Sequence, residues 1–131
     1  MWFVIALTLF YGPYNATVRE VINAETIKFD VAIWPGEKKL VEIGVLGVDT
    51  PSLAGSCDAE ELLAKEALEM TLAFIGTQAR ITDVRQSATN GKFYAKIRNK
   101  RGKLLSEALI ESGYGVPYEK GKKHSWCPSS G

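Results

Sequence analysis

Histidine and cysteine are scarce: the 131 residues hold one His, His124, and two Cys, Cys57 and Cys127. A structural zinc site draws about four ligands from these residue types, so this composition argues against one. The wide interval between the cysteines also excludes a CxxC redox or zinc motif. In an oxidising compartment such a pair reads as one disulfide, in a reducing one as two thiols. An excess of charge is lacking too. The net charge of +1 makes this neither a polybasic nor a polyacidic chain. No apolar run is long enough to cross a bilayer: MWFVIALTLF, residues 1–10, falls well short of the ~20 residues a spanning helix needs. The run resembles the centre of a signal peptide, but no Lys or Arg precedes it and the following YGPYNA is a poor cleavage site. Residues 1–13 are therefore expected to be a signal remnant or an N-terminal edge strand, and the protein to be secreted or periplasmic. Internal repeats are absent, and the only biased stretch is the Ser/Gly tail, residues 128–131, expected to be flexible.

What is present suits one hydrophobic core. The apolar share is 46% and the charged share 24%, ordinary for a soluble globular domain. Charge is divided along the chain: residues 1–79 carry 5 Lys and Arg against 11 Asp and Glu, whereas residues 80–131 carry 11 against 4. Such a division gives either an electrostatic face or two solvated patches that meet on folding.

Ala16–Ile22 and Thr26–Ile33 are rich in β-branched residues and flank Asn23-Ala24-Glu25, which predicts two strands and a tight turn. Trp34-Pro35-Gly36 is a second turn, and Leu40–Gly47 a third strand. Over Asp58–Ile75 the period changes: Leu63, Ala67, Met70 and Phe74 fall at helical spacing, with Leu62 and Ile75 widening the stripe. Asp58 and Glu61 form a capping pair in this reading, and Glu60, Glu61, Glu66 and Glu69 a solvated face. Gln78–Gln86 and Phe93–Arg98 are two further strands, and Leu104–Ser112 is a short helix stopped by Gly113. Three strands, a helix, two strands and a helix predict a mainly β, five-stranded Greek-key barrel of the OB-fold type, with a helix between strands three and four and a C-terminal helix.

Several segments, taken in order over residues 14–127, resemble the staphylococcal nuclease family. Its Asp-Gly-Asp-Thr turn is matched by Asn23-Ala24-Glu25-Thr26. Its Arg-Leu-x-Gly-Ile/Val-Asp-Thr-Pro-Glu stretch is matched by Gly44-Val45-Leu46-Gly47-Val48-Asp49-Thr50-Pro51-Ser52. Its Tyr-Gly-Arg turn is matched by Asn90-Gly91-Lys92, and its Glu-Ala-Leu helix by Ser106-Glu107-Ala108-Leu109-Ile110-Glu111-Ser112-Gly113. Exported members also carry a Cys after Asp-Thr-Pro and end in Pro-Tyr…Trp-Cys, as Cys57, Pro117-Tyr118 and Trp126-Cys127 do here. The resemblance implies a Cys57–Cys127 disulfide.

It also implies phosphodiester hydrolysis with one Ca²⁺, a glutamate base and two arginines stabilising the phosphorane, and here the chain departs from the pattern. Asp49 keeps a hard oxygen ligand, Thr50 offers a carbonyl, and Glu25 replaces the second aspartate with a side chain one methylene longer. The family's catalytic positions hold Gly44, which offers no side chain, Ser52, which is no base at neutral pH, and Lys92, which loses the bidentate fork. Losing one transition-state donor costs on the order of 10²–10³ in rate, and losing a general base 10²–10⁴. The expectation is a nuclease-like domain that is inactive or strongly impaired and serves as a monomeric binding module for nucleic acid or protein, with Ca²⁺ bound only if the Glu25–Asp49–Thr50 site survives. Lys92, Lys96, Arg98, Lys100 and Arg101 form the expected nucleic-acid face, with Phe93, Tyr94, Tyr114 and Tyr118 as stacking candidates and Phe93 assigned to the core. Two alternatives stand beside it. One is a divergent Ca²⁺-dependent nuclease that relocates its groups to Glu42, Arg19, Arg85 or Arg98. The other is a structural or inhibitory domain that meets a protein through the acidic N-terminal half.

Overall fold

The computed structural model describes residues 13–120 and 122–128. The expectations for residues 1–12 and for the end of the tail lie outside them. Strands β1 (Tyr14–Asn23), β2 (Thr26–Trp34) and β3 (Glu37–Val45) form an antiparallel meander, and a short β4 (Val48–Asp49) follows. Helix α1 (Asp58–Ile75) leads to β5 (Gln78–Gln86) and β6 (Phe93–Arg98), then to α2 (Leu105–Glu111) and a short β7 (Val116–Pro117). The five long strands close a barrel in the order β1-β2-β3-β6-β5, with β5 returning to β1, and β4 pairs with β7 outside it. The described residues are thus mainly β, an OB-fold-like barrel with two helices.

Alternation dictates the core. Ile27, Phe29 and Val31 of β2, Ile43 and Val45 of β3, Ile81 of β5, and Ala95 and Ile97 of β6 point inward and are buried. Leu105 and Leu109 of α2 and Ala67 and Ile75 of α1 join the same core. The partner strands are not matched in length. β3 pairs with β2 from Glu37 to Gly44 but with β6 only over Ile43–Val45, in parallel. The outer part of β3, before Ile43, therefore has no β6 partner, and because β2 stays paired with β1 as far as Val31, only the end of the hairpin beyond Val31 and Lys39 is two-stranded.

Three expectations need correction. Cys57, in extended conformation, occupies the N-cap of α1 with no side-chain cap bond, and its carbonyl accepts the Glu61 amide, so Asp58 and Glu61 do not form a capping pair. The buried stripe of α1 is Glu60, Ala64, Ala67, Thr71 and Ile75, rotated from the expected one, and it leaves Leu62 exposed. The rotation follows from what faces the helix: a loop that needs a carboxylate and a turn that needs a hydroxyl, described below. Phe93, expected in the core, is exposed, because β6 begins at that residue beside an exposed 88–92 loop. Gly113 has φ +82, as a helix stop requires.

Candidate functional site

Glu25 sits in the β1–β2 turn, and its backbone is held from three sides. Its amide donates to Asn23 Oδ1 at 3.0 Å. Its carbonyl accepts the Val45 amide at 2.7 Å. The preceding residue, Ala24, is buried, and its carbonyl accepts the hydroxyl of Thr71 on α1 at 3.0 Å. Sheet and helix together therefore aim the Glu25 side chain. Asp49 comes from β4, paired with Val116 of β7, and its Oδ2 accepts the backbone N–H of His124 at 3.1 Å. Thr50, beside it, is buried.

Asp49 and Thr50 both lie close enough to Glu25 to act on its carboxyl. Burial, and then the Asp49 charge, push the Glu25 carboxyl up from 4.5 to about 7, while the Thr50 hydroxyl and amide and the Lys123 ammonium pull it back. Two like-charged carboxylates at one site repel, and a cation would relieve them. The hard-oxygen donor set suits Ca²⁺, but two carboxylates and a carbonyl fall short of the six to eight oxygens that ion takes. Among the described residues no group of three or more His, Cys, Asp or Glu could hold a metal ion. A cation bound here would have to draw on Glu25, Asp49 and the Thr50 carbonyl and take the rest of its shell from water.

The remaining positions are engaged elsewhere. Gly44 lies across from Tyr94 in the β3–β6 ladder, and a Cβ there would be 2.7 Å from Cδ1 and Cε1 of the Tyr94 ring. The ring thus occupies the space where a larger residue would begin. Ser52 donates its amide to Glu60 Oε2 at 3.0 Å, and its hydroxyl accepts the Ala54 amide at 3.2 Å. It is a loop residue, not a group aimed at Glu25. Lys92 closes the exposed 87–92 loop, its amide donating to Asn90 Oδ1 at 2.9 Å. Lys123, not Lys92, is the cation that acts on Glu25.

Glu60 is the residue that sequence reasoning placed wrongly, on a solvated face. Only 5% exposed, it accepts the amides of Ser52 and Ser56, each at 3.0 Å, and so shapes the loop between β4 and α1. Those two amides hold its carboxyl below the usual range. The usable signal was its spacing from Ala64, Ala67 and Thr71, which a search for apolar residues passes over.

On the outer face, Lys96 pairs with Asp83 at 3.4 Å, and Arg98 donates from Nη1 to Thr82 Oγ1 at 3.1 Å. Lys100 and Arg101 lie in the turn after β6 and line a small cleft with residues 74–78 of the α1–β5 connection; neither Glu25, Asp49 nor Gly44 borders it. Of the groups considered for relocation, Arg19 is engaged by Asp30 at 3.0 Å and Glu42 pairs in register with Lys28. Arg85 stands opposite Tyr94, so Gly44, Tyr94 and Arg85 form one row across three strands. The Cys57–Cys127 disulfide is present and ties the tail that carries Lys123 and His124 to the start of α1. No protein-family model matches the chain, and no curated protein matches it.

Proposed function

We propose that this protein is a nuclease-like OB-fold domain that has lost efficient phosphodiester hydrolysis and works as a nucleic-acid-binding module. The observation that carries the reading is the pairing of Gly44 with the Tyr94 ring, beside Glu25. Where the resembled family would place a guanidinium, an aromatic surface lies, flanked by the outward-facing Lys96 and Arg98. Hydrolysis needs positive charge and a base where charge develops, and Ser52 and Lys92 supply neither in the required form. An aromatic ring within a basic face suits backbone contact and base stacking instead.

The test is binding of a single-stranded oligonucleotide, followed by fluorescence anisotropy. Affinity should fall steeply with salt, since phosphate contacts release counterions. Exchanging Lys96, Arg98, Lys100 and Arg101 for Gln should flatten that slope. Absence of binding at low salt would refute the reading and leave a protein partner for the acidic N-terminal half. The Gly44–Tyr94–Arg85 row favours one second reading, a divergent Ca²⁺-dependent nuclease with Arg85 as its relocated guanidinium. Under that reading Arg85→Ala abolishes a cleavage that the first reading says is absent.

A further inference from the structure

The C-terminal chain is held over the carboxylate site by few contacts. Val116 pairs with Asp49, and the Tyr118 amide donates to the Gly47 carbonyl at 3.0 Å, so the chain is anchored to the barrel as far as Tyr118. Next, the Lys122 amide donates to the Glu119 carbonyl at 3.1 Å, and the two exposed side chains pair at 3.7 Å. From there residues 122–127 pass the Glu25–Asp49 carboxylates and end at the start of α1.

The forces on this segment are unequal. Residues 122–125 are exposed. Among the described residues, its one hydrogen bond to the barrel runs from the His124 amide to Asp49 Oδ2, at 3.1 Å and open to solvent. Lys123 adds attraction to Glu25 and Glu60, but its ammonium is exposed and screened. Trp126 is half-buried, which favours docking. Its Nε1, however, is shut off from water with no hydrogen-bond partner among the described residues, and an unpaired buried donor offsets part of that gain. The covalent Cys57–Cys127 bond is therefore the main restraint on the segment. Both cysteines are half-buried, so a small thiol reaches their sulfurs.

We propose that residues 122–127 are a strap whose closure over Asp49 and Glu25 is set by the redox state of Cys57 and Cys127. Opening needs a dithiol reductant. One of its thiolates attacks a disulfide sulfur, forming a mixed disulfide and releasing the other cysteine as a thiol. Its second thiol then displaces the remaining cysteine and closes the reductant's own disulfide. Two electrons and two protons thereby pass to the protein. Cys127 Sγ lies 3.9 Å from Glu60 Oε1, and once reduced it has only a weak S–H donor with which to stay there. The freed strap withdraws the His124 amide and the Lys123 ammonium from the carboxylate pair. Glu60 keeps the amides of Ser52 and Ser56, which lie outside the strap. The site is thus covered under oxidising conditions and open under reducing ones. This inference concerns access to the carboxylates and does not rest on the function proposed above.

The test labels carboxyl groups of the full chain with a water-soluble carbodiimide and glycine ethyl ester, before and after dithiothreitol, read by peptide mass spectrometry. Asp49 labelling is expected to rise severalfold on reduction and to return to its starting level on reoxidation. The chain with Cys57→Ser and Cys127→Ser should label like the reduced protein with no reductant present. Glu60 is the internal control and should stay protected throughout. Three results would overturn the proposal. They are Asp49 labelling that reduction leaves unchanged; a rise at Glu60 equal to that at Asp49, which would make the bond a staple of the whole domain; and a double-serine chain that labels like the oxidised protein, which would show that the strap holds without its latch.

Discussion

At Glu25, a carboxyl raised to about 7 makes stability depend on pH in an unusual direction. Below its ordinary value of 4.5 the group is protonated both in the folded and in the unfolded chain. Between 4.5 and about 7 the unfolded chain releases the proton while the folded one keeps it. Stability from this residue therefore falls as pH rises through that window and is level above it. Glu25→Gln should be neutral at the acid end and stabilise by roughly 2–3 kcal/mol above the window, read by urea denaturation at the two pH values. If both pH values give equal effects, the burial and repulsion argument is wrong. Gly44 makes a second residue-scale claim. Gly44→Ala drives a Cβ into the Tyr94 ring and should cost about 1–3 kcal/mol, and adding Tyr94→Ala should recover part of it, as a double-mutant cycle would show. A chain carrying Gly44→Arg, Ser52→Glu and Glu25→Asp also needs Tyr94 shortened before an arginine fits. The sequence displayed Gly44, Ser52 and Asp49 as departures or matches in a motif. It did not display Tyr94 over Gly44, because that contact is made by strands about fifty residues apart, paired in parallel.

Between elements, α1 reaches the site through two polar side chains on its buried face. Thr71 holds the Ala24 carbonyl, and Glu60 holds two amides of the loop before the helix. Thr71→Val keeps the shape but leaves that carbonyl unsatisfied, which should cost about 1–3 kcal/mol and speed amide exchange in the β1–β2 turn. An unchanged exchange rate at Glu25 would show that β3 alone positions the turn. The element pattern itself was legible: α1, β5 and β6 begin and end where periodicity put them, because alternation and helical spacing are local properties. The rotated face of α1 was not, since Glu60 and Thr71 are buried for bonds to distant loops and not for apolarity. The β4–β7 pair escaped for the same reason, being two residues on each side.

Across the whole molecule, a barrel closed by five strands is tied to its C-terminal tail by one covalent link. The Cys57–Cys127 bond closes a separation of 70 residues, and its loss should cost about 4 kcal/mol in the chain-entropy account. The Cys57→Ser, Cys127→Ser chain should therefore unfold at markedly lower urea, with a smaller change expected if the β4–β7 pairing already holds the tail. The tail also brings the His124 amide to Asp49 and the Lys123 charge to Glu25, so the same variant tests whether the tail shapes the site. The central claim is that a barrel with the Tyr94 ring over Gly44, a lysine at position 92 and no glutamate at position 52 does not cleave nucleic acid efficiently. It is tested most directly by incubating the purified full chain with labelled single-stranded DNA and RNA and Ca²⁺, with and without EDTA, and following cleavage. The account predicts intact, salt-sensitively bound oligonucleotide. Rapid cleavage that EDTA stops and Asp49→Asn abolishes would contradict it.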